Sequence, residues 1–357
     1  MPDLVIFSAG LYRGGAQRVA IDIANAFSLK GKKIHLIVLG LEKGFEKELK
    51  KNIRIINFDC QRVLYSIPKL INYLKKTKPK IFFCTQPHCT VAAWISIKLA
   101  NWKGNFIARE NNSRKKVHGR KILIKDRIVW FLLNYIYKKI NYVIAPSKGL
   151  AKEIPGNVQV VYNPIDIKNI LKQSKKNIEK NYFKKNKFIL GVGRFIDQKR
   201  FSDLIRAFAK LQKKNLNLIL LGEGELKSEL VNLAESLKIK NKVFFPGFDN
   251  NPFKYMSKCE AFVLSSAWEG MPNVLIQALL CGSKIVSTNC PHGPKEILKN
   301  GYYGKLVSVG DVDSLSKAIK KCIGEKKNKK LRKKIEREFA LKTQIKKLEK
   351  LFFTKKL

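Results

Sequence analysis

The chain has 357 residues, of which 45% are hydrophobic and 28% charged, so it is long enough for two or three domains with buried cores. This composition excludes a disordered or fibrous protein. The formal charge of +45 favours a polyanionic partner such as nucleic acid or an anionic membrane surface, but a generally lysine-rich composition explains it equally well, so charge alone selects no function.

The first half of the chain alternates short apolar runs with segments of helical period. A strand of a parallel sheet is buried on both faces and reads as a continuous apolar run. The clearest helix follows the first run, because apolar residues recur every three to four positions from Ala16 to Phe27 and the pattern ends near Gly31. The predicted strands are 4–7, 34–39, 53–56, 81–84, 106–108, 142–145 and 158–161.

A second alternating series follows a polar stretch, residues 172–187, which is too charged to fill a core and which we interpret as a linker. The predicted strands are 188–192, 216–221, 243–245, 261–264 and 284–287, and the predicted helices are 201–211, 225–237 and 273–281. We therefore expect an α/β protein with two doubly wound domains, 1–170 and 171–341, facing a central cleft. An apolar stripe within 341–353 must dock on another part of the protein.

Glycines follow two of the predicted strands. Gly14 and Gly15 open the first helix, where bare backbone amides can approach an anion or simply form a turn. Gly222 and Gly224 form a tight turn able to accept a base or a sugar hydroxyl against the backbone. Each signal is weak by itself.

Two cations follow the first strand of the second series. Gly193 and Arg194 end this strand, and Lys199 precedes the next helix. Cations at the carboxyl end of a strand can clamp a diphosphate and stabilise the charge that grows on it as a bond breaks. Solvated surface charge is the alternative in so basic a chain.

The segment 265–282 is the most informative. Pro272 suits the first turn of a helix and Gly282 its end, so a helix N-terminus with free amides points at the loop that holds Glu269. Asn273 and Gln277 lie four residues apart on one face. A capping role alone explains Glu269 but not the polar face beside it.

The remaining sequence features predict that several kinds of site and segment are absent. The seven cysteines form no C-x-x-C pair, which predicts free, reduced, cytosolic thiols. We expect no secretory leader, no transmembrane segment and no zinc site. Asp311 and Asp313 form a D-x-D sequence, but N-capping of the helix that follows explains it better than a metal does.

Jointly, these motifs resemble the retaining glycosyltransferases of family 4, which have the GT-B fold and use nucleotide-sugar donors. The resemblance covers nearly the whole chain, through segments 14–18, 162–166, 193–199, 222–225, 245–248 and the one around Glu269. Segment 289–298 resembles members that build lipopolysaccharide, capsule and other surface glycans. The resemblance implies two Rossmann-like domains, no cofactor, no metal, and a final helix, 342–357, that packs back on the N-terminal domain.

The resemblance also implies roles for individual residues, nearly all of them in the second domain. Arg194 and Lys199 would hold the diphosphate of a UDP- or GDP-linked donor, and Glu269 would contact the transferred sugar near its reacting carbon. Gln277 replaces the second Glu of the family's E-x7-E pattern, and its amide can still accept and donate a hydrogen bond to the ribose. The implied donor-binding residues are Gly15, Gly193, Gly222, Gly224, Gly270, Met271, Pro272, Asn273, Val274 and Gln277.

In this family the N-terminal domain takes the acceptor, often a lipid-linked glycan. Many members carry a His after the strand that here ends at Ala108, where this chain has Arg109 and Glu110. We place Gly14, Arg109 and Glu110 on the acceptor side, and Glu110 has the alternative of being the ion-pair partner of Arg109.

A basic stretch, residues 114–127, precedes the apolar segment 128–137. This order favours peripheral attachment to an anionic surface, the inner face of the cytoplasmic membrane. The alternative is that Trp130, Leu133 and Tyr137 belong to the core and the lysines are merely solvated.

The expected function is metal-independent transfer of a hexose or N-acetylhexosamine to a lipid-linked acceptor, with retention of configuration, in cell-surface polysaccharide synthesis. The alternatives are a nucleotide-sugar epimerase of the same fold and a basic nucleic-acid-binding protein. Because the sequence has no RNP-type motif and no zinc module, we expect no nucleic acid partner.

Overall fold

The computed structural model of the chain describes residues 1–11, 14–42, 45–113, 123–179, 187–326 and 331–353. These residues form two compact units. The first contains residues 1–111, 123–165 and 341–353, and the second is built mainly from Asp166–Ala340.

The first unit contains a seven-stranded parallel sheet in the order β3-β2-β1-β4-β5-β6-β7. Each predicted strand is present, with its ends shifted by at most a residue or two. The strands are β1 (Leu4–Ser8), β2 (Ile34–Val38), β3 (Arg54–Asn57), β4 (Ile81–Cys84), β5 (Asn105–Arg109), β6 (Tyr142–Ala145) and β7 (Val158–Val160).

Helices cover both faces of this sheet, and the pleat divides the core accordingly. Val5 and Phe7 of β1 pack with residues of the second, third and fourth helices, whereas Leu4 and Ile6 pack with the first helix. The helices are α1 (Gly15–Leu29), α2 (Ile67–Thr77), α3 (Pro87–Leu99), α4 (Ile124–Lys139) and α5 (Lys148–Ala151).

The second unit repeats this plan with six parallel strands in the order β10-β9-β8-β11-β12-β13. Among these strands only β13 (Lys305–Val307) was not predicted, because three half-buried residues give no clear period. The other strands are β8 (Lys187–Val192), β9 (Leu216–Leu221), β10 (Val243–Gly247), β11 (Ala261–Leu264) and β12 (Ile285–Thr288).

The helices of the second unit include the three that the sequence predicted, α7 (Phe201–Ala209), α8 (Lys227–Ser236) and α10 (Asn273–Leu280). The additional ones are α6 (Ile167–Ser174), α9 (Phe253–Met256), α11 (Pro294–Ile297), α12 (Val312–Gly324) and α13 (Leu331–Phe339).

The boundary between the units differs from the expected one. It lies after Ile165 instead of after residue 170, because α6 packs on α9 and α10 of the second unit. Residues 172–174, which we interpreted as linker, are the end of α6, where the carbonyl oxygen of Ser174 accepts a 2.8 Å hydrogen bond from Ser257. Residues 180–186 of the expected linker lie outside the described residues.

The strand order reverses beside the first strand of each sheet. In the second unit the reversal lies between β8 and β11, whose connections leave in opposite directions. Such a switch point opens a crevice beyond the carboxyl ends of the two strands, where open α/β sheets bind their ligands. The loops carrying Arg194, Lys199 and Glu269 follow these two strands.

The chain ends on the first unit with α14 (Leu341–Phe353). Ile345, Leu348 and Phe352 are buried there, and the Phe352 ring lies 5.6 Å from that of Phe27 and 5.2 Å from that of Phe83, between centroids. The prediction that this apolar stripe docks is confirmed, whereas residues 354–357 lie outside the described part. The seven cysteines are all free, as expected.

We predict that Phe352→Ala destabilises the protein by about 3–5 kcal/mol, because it removes a buried ring and leaves a cavity between α14, α1 and the sheet. Urea unfolding measures this loss. Phe131→Ala, at a ring that is 75% exposed, is the matched control and should stay within about 0.5 kcal/mol of wild type. Equal stabilities of the two variants would contradict the docking of α14.

Candidate active site

Two glycine turns hold the loops after β8 and β9 together. A Cβ atom on Gly222 would lie 1.9 Å from the carbonyl oxygen of Gly193, and one on Gly224 would lie 2.4 Å from that of Phe195. Both glycines also have positive φ angles, 142° and 157°. Only glycine allows this backbone contact, so the two loops form one surface at the carboxyl edge of the sheet.

We predict that Gly222→Ala costs about 2–4 kcal/mol of stability, since the new Cβ overlaps a backbone atom and the φ angle is strained. Thermal unfolding measures the cost. Gly324→Ala is the control, because a Cβ there meets no atom within 4 Å, and its effect should stay below about 1 kcal/mol. A Gly222→Ala protein as stable as this control would show that the close approach is not needed.

Lys199 reaches from the loop after β8 to the loop after β11. Its side chain runs over Gly193, where a Cβ would meet the Lys199 stem at 3.3–3.4 Å. The Lys199 Nζ lies 2.5 Å from Oε1 of Glu269, and the two side chains are only 15% and 8% exposed. The structure thus brings together two of the three residues that the sequence singled out for catalysis.

Glu269 is fixed by its side chain and by its backbone. Ser266 Oγ donates a 2.7 Å hydrogen bond to the same Oε1 that Lys199 contacts. The backbone N–H of Glu269 donates to the Pro291 carbonyl at 2.6 Å, and its own carbonyl accepts from the N–H of His292 at 2.8 Å. Within the described ranges no group donates to Oε2, so one carboxylate oxygen is held in place while the other is available.

The residues supporting Glu269 were not predicted. Ser266 is fully buried, and its carbonyl accepts a 2.6 Å hydrogen bond from the Thr288 hydroxyl at the end of β12. Burial, aided by the charge of Glu269, raises the pKa of the Cys290 thiol, so Cys290 stays neutral beside the carboxylate. The sequence offered only the proximity of Ser266 to Glu269, which does not reveal where either side chain points.

Arg194 differs from Lys199 in its surroundings. Its side chain is exposed, and it makes no hydrogen bond or ion pair with any residue in the described ranges. Phe195, the next residue, is fully buried and ties this loop to the turn after β9. Arg194 is thus a cation on an anchored loop, available to an anionic ligand.

The N-terminus of α10 completes the carboxyl edge. Gly270, Met271 and Pro272 are buried and lead into the helix, which starts at Asn273. A Cβ on Gly293 would lie 2.5 Å from Pro272 Cδ, so the loop after β12 packs closely against this turn. The helix carries the half-buried residues Asn273, Val274 and Gln277. The first amides of such a helix favour an anion.

The site residues predicted in the first unit lie near the other sheet, far along the chain from the loops just described. Gly14 and Gly15 are exposed at the start of α1. The assignment of Gly15 to donor binding stays a prediction.

Arg109 and Glu110 are buried at the end of β5. The Arg109 guanidinium donates a hydrogen bond to the Asn163 side chain, and its buried Nη1 has no hydrogen-bond partner among the described residues. Burial lowers the pKa of Arg109 to about 10. Glu110 accepts a 3.3 Å hydrogen bond from the Tyr137 hydroxyl. The alternative that Glu110 is the ion-pair partner of Arg109 is wrong, because Arg109 turns to Asn163.

The D-x-D sequence is a helix cap. Asp311 precedes α12, and its carboxylate accepts a 2.8 Å hydrogen bond from the N–H of Ser314. This bond holds the pKa of Asp311 below its usual value. The capping prediction is therefore confirmed. Across the described ranges, no three His, Cys, Asp or Glu side chains are placed to hold a metal ion together.

Two family models match the chain over nearly its full length. Residues 13–169 match the model described as Glycosyltransferase Family 4, and residues 173–339 match the model described as Glycosyl transferases group 1. A solved structure of HepE from Anabaena, in complex with UDP and glucose, shares the fold with a TM-score of 0.78 at 18% identity, covering 98% of this chain and 99% of that one. The two units are thus the Rossmann-like domains of a GT-B glycosyltransferase.

Curated relatives agree with this class. The chain is 30% identical to a Campylobacter jejuni protein named N-acetylgalactosamine-N,N'-diacetylbacillosaminyl-diphospho-undecaprenol 4-alpha-N-acetylgalactosaminyltransferase, over 92% of each chain. It is 25% identical to the lipopolysaccharide 1,6-galactosyltransferase of Salmonella typhimurium, over 84% of this chain and 83% of that one. This chain belongs to glycosyltransferase family 4 and is an enzyme of sugar transfer.

Proposed function

We propose that this enzyme transfers a hexose or N-acetylhexosamine, with retention of configuration, from a UDP- or GDP-linked sugar to a lipid-linked glycan in cell-surface polysaccharide synthesis. The observation that carries the proposal is the pairing of Lys199 with Glu269 at 2.5 Å, at the carboxyl edge of the second sheet and beyond its switch point. Cationic and anionic groups meet there beside the N-terminus of α10 and beside Arg194, whose side chain has no partner in the described ranges.

The donor diphosphate binds at this edge. Arg194, which has no partner among the described residues, contacts the phosphates together with Lys199 and the first amides of α10. As the bond between the sugar carbon and the diphosphate breaks, negative charge grows on the departing oxygen, and the fixed cations stabilise it. The bare backbone of Gly193, Gly222 and Gly224 lets the nucleotide lie close to the loops.

Glu269 faces the transferred sugar. With Oε1 held by Lys199 and Ser266, Oε2 is oriented toward the ligand, where it accepts hydrogen bonds from sugar hydroxyls and stabilises positive charge near the reacting carbon. Gln277 binds the ribose hydroxyls with its amide, one turn further along α10 from Asn273.

The acceptor binds to the first unit, with Gly14, Arg109 and Glu110 on its side. The name of the Campylobacter jejuni relative places its acceptor on diphospho-undecaprenol, which supports a lipid-linked acceptor here. Such an acceptor places the reaction at a membrane surface, and we assign this enzyme to the inner face of the cytoplasmic membrane, attached peripherally.

Incubation with labelled nucleotide sugars tests the proposal. The panel contains UDP- and GDP-linked hexoses and N-acetylhexosamines, UDP-N-acetylgalactosamine first, each with and without an undecaprenyl-diphosphate-linked glycan. We expect label in the lipid fraction only when both substrates are present, and proton NMR of the product should show the anomeric configuration of the donor. Formation of a free sugar epimer without acceptor would instead identify an epimerase.

A further inference from the structure

Helix α4 has two apolar faces, which lie on opposite sides of the helix. One face carries Leu133, Ile136 and Tyr137, which are buried in the core of the first unit. This part of the sequence-based alternative, that Leu133 and Tyr137 are core residues, is correct. The opposite face is also apolar, and no element in the described ranges covers it, since Ile124 and Phe131 are 78% and 75% exposed.

The exposed apolar residues of α4 form one continuous stripe, which runs through Ile124, Ile128, Phe131, Leu132 and Tyr135. With 3.6 residues per turn, the spacings of four, three, one and three residues place them on the same side of the helix over about three turns. Single exposed apolar residues are common, but a contiguous apolar patch on a soluble surface marks an interaction site. The outer face of α4 comprises Ile124, Ile128, Phe131, Leu132 and Tyr135.

Cations border this outer face. Arg127 and Lys138 lie along one edge and Lys139 near its carboxyl end, each exposed and without an ion pair to a residue in the described part of the chain. The acid on the helix, Asp126, accepts the backbone N–H of Leu123 at 2.9 Å, at the start of the helix. Positive charge without an ion-pair partner among the described residues therefore borders the stripe along one edge and at its carboxyl end.

The apolar stripe and the cations beside it together indicate the kind of partner. A two-fold contact with a second copy would bring Arg127, Lys138 and Lys139 of both copies to one interface, where like charges repel. An anionic bilayer instead accepts apolar side chains below its headgroups and attracts the cations at the same depth. No helix in the described ranges is long and apolar enough to cross a membrane.

We propose that the outer face of α4 docks on an anionic lipid surface, with its apolar stripe among the headgroups and acyl chains and with Arg127, Lys138 and Lys139 on lipid phosphates. The assignment rests on the proposed function in one respect, that a lipid-linked acceptor requires the enzyme at a membrane. It names the surface that brings the first unit to that membrane.

Vesicle sedimentation tests the assignment with the full-length chain and no substrate. The vesicles contain about three parts phosphatidylcholine to one part phosphatidylglycerol, or phosphatidylcholine alone. We expect wild type to bind the anionic vesicles, and the double variant Ile128→Ser/Phe131→Ser to bind about tenfold more weakly or worse, since two large side chains lose their lipid contact. The variant Lys138→Gln/Lys139→Gln should lose about fivefold per cation.

The matched control, Leu29→Ser/Tyr302→Ser, removes two exposed apolar residues elsewhere, which are 71% and 76% exposed against 56% and 75% for Ile128 and Phe131. It should bind vesicles like wild type. Vesicle binding by the α4 double variant that equals that of wild type overturns the proposal. So does light scattering that shows a wild-type dimer dissociated by this variant, because a second copy then covers the face.

Transfer activity separates this inference from the proposed function. With a short-chain, water-soluble acceptor, the α4 double variant should transfer sugar as fast as wild type, because its donor site is unchanged. If no donor yields transfer yet vesicle binding follows the expected order of variants, the proposed function fails and the docking surface stands. If transfer occurs and the variants bind vesicles alike, the docking surface fails alone.

Discussion

Replacing Glu269 with Gln is expected to lower the rate of sugar transfer by about a thousandfold or more while donor affinity changes by less than about tenfold. Glutamine retains the size of the side chain, and its Oε1 can still accept from Lys199 and Ser266. What it loses is the negative charge next to the sugar. Because a developing positive charge is present only in the transition state, this loss appears in kcat and hardly in binding.

The measurement is steady-state transfer together with calorimetric titration of the donor. Removing the charge also leaves the Lys199 ammonium without a counter-ion, so we expect a stability loss of about 1–3 kcal/mol, which unfolding experiments separate from the kinetic effect. Glu229→Gln, at an exposed position on α8, is the control and should retain full activity. Unchanged turnover in Glu269→Gln would remove this residue from the chemistry.

The second large effect is expected from replacing the two cations of the site, Lys199 and Arg194. The two replacements should differ in their effects on rate and stability. Lys199→Met removes a half-buried charge that holds Glu269, so we expect a rate reduced by about a hundredfold to a thousandfold and a lower unfolding free energy. Arg194→Ala removes an exposed side chain without a partner in the described residues. It should weaken donor binding and rate by about tenfold or more while stability stays within about 0.5 kcal/mol.

Kinetics and unfolding of both variants, measured side by side, distinguish a ligand-binding cation from one that also supports the protein. An Arg194→Ala enzyme with wild-type KM and kcat for the donor would show that the diphosphate binds elsewhere. A Lys199→Met protein as stable as wild type would show that the ion pair with Glu269 contributes nothing to the fold.

All described strands except β13 could be predicted, because strands inside a parallel sheet are buried on both faces and read as uninterrupted apolar runs. The start of the second unit could not be placed as well. Residues 172–174 look like linker by charge, yet they end α6. This helix contacts α9 and α10, buries Ile170, and accepts a hydrogen bond at Ser174 from Ser257. Local composition carries no information about such contacts.

The candidate site, too, could be predicted only in part from the sequence. The sequence indicated Lys199 and Glu269 because each follows a strand end, and strand ends of a parallel sheet meet at one edge. The shared hydrogen bonding of Oε1 to Lys199 and Ser266 depends on side-chain direction, which the sequence does not reveal. The burial of Arg109 against Asn163 and the exposure of one apolar face of α4 likewise follow from which elements happen to cover each residue.

Titration of the nucleoside diphosphate tests the central claim most directly, namely that fixed cations at the carboxyl edge of the second sheet hold the donor diphosphate. We predict that UDP or GDP binds wild type and that its affinity falls by about a hundredfold in the double variant Arg194→Ala/Lys199→Met, whereas the affinity of the corresponding nucleoside changes little. Equal binding of the diphosphate by the double variant and wild type would contradict the account.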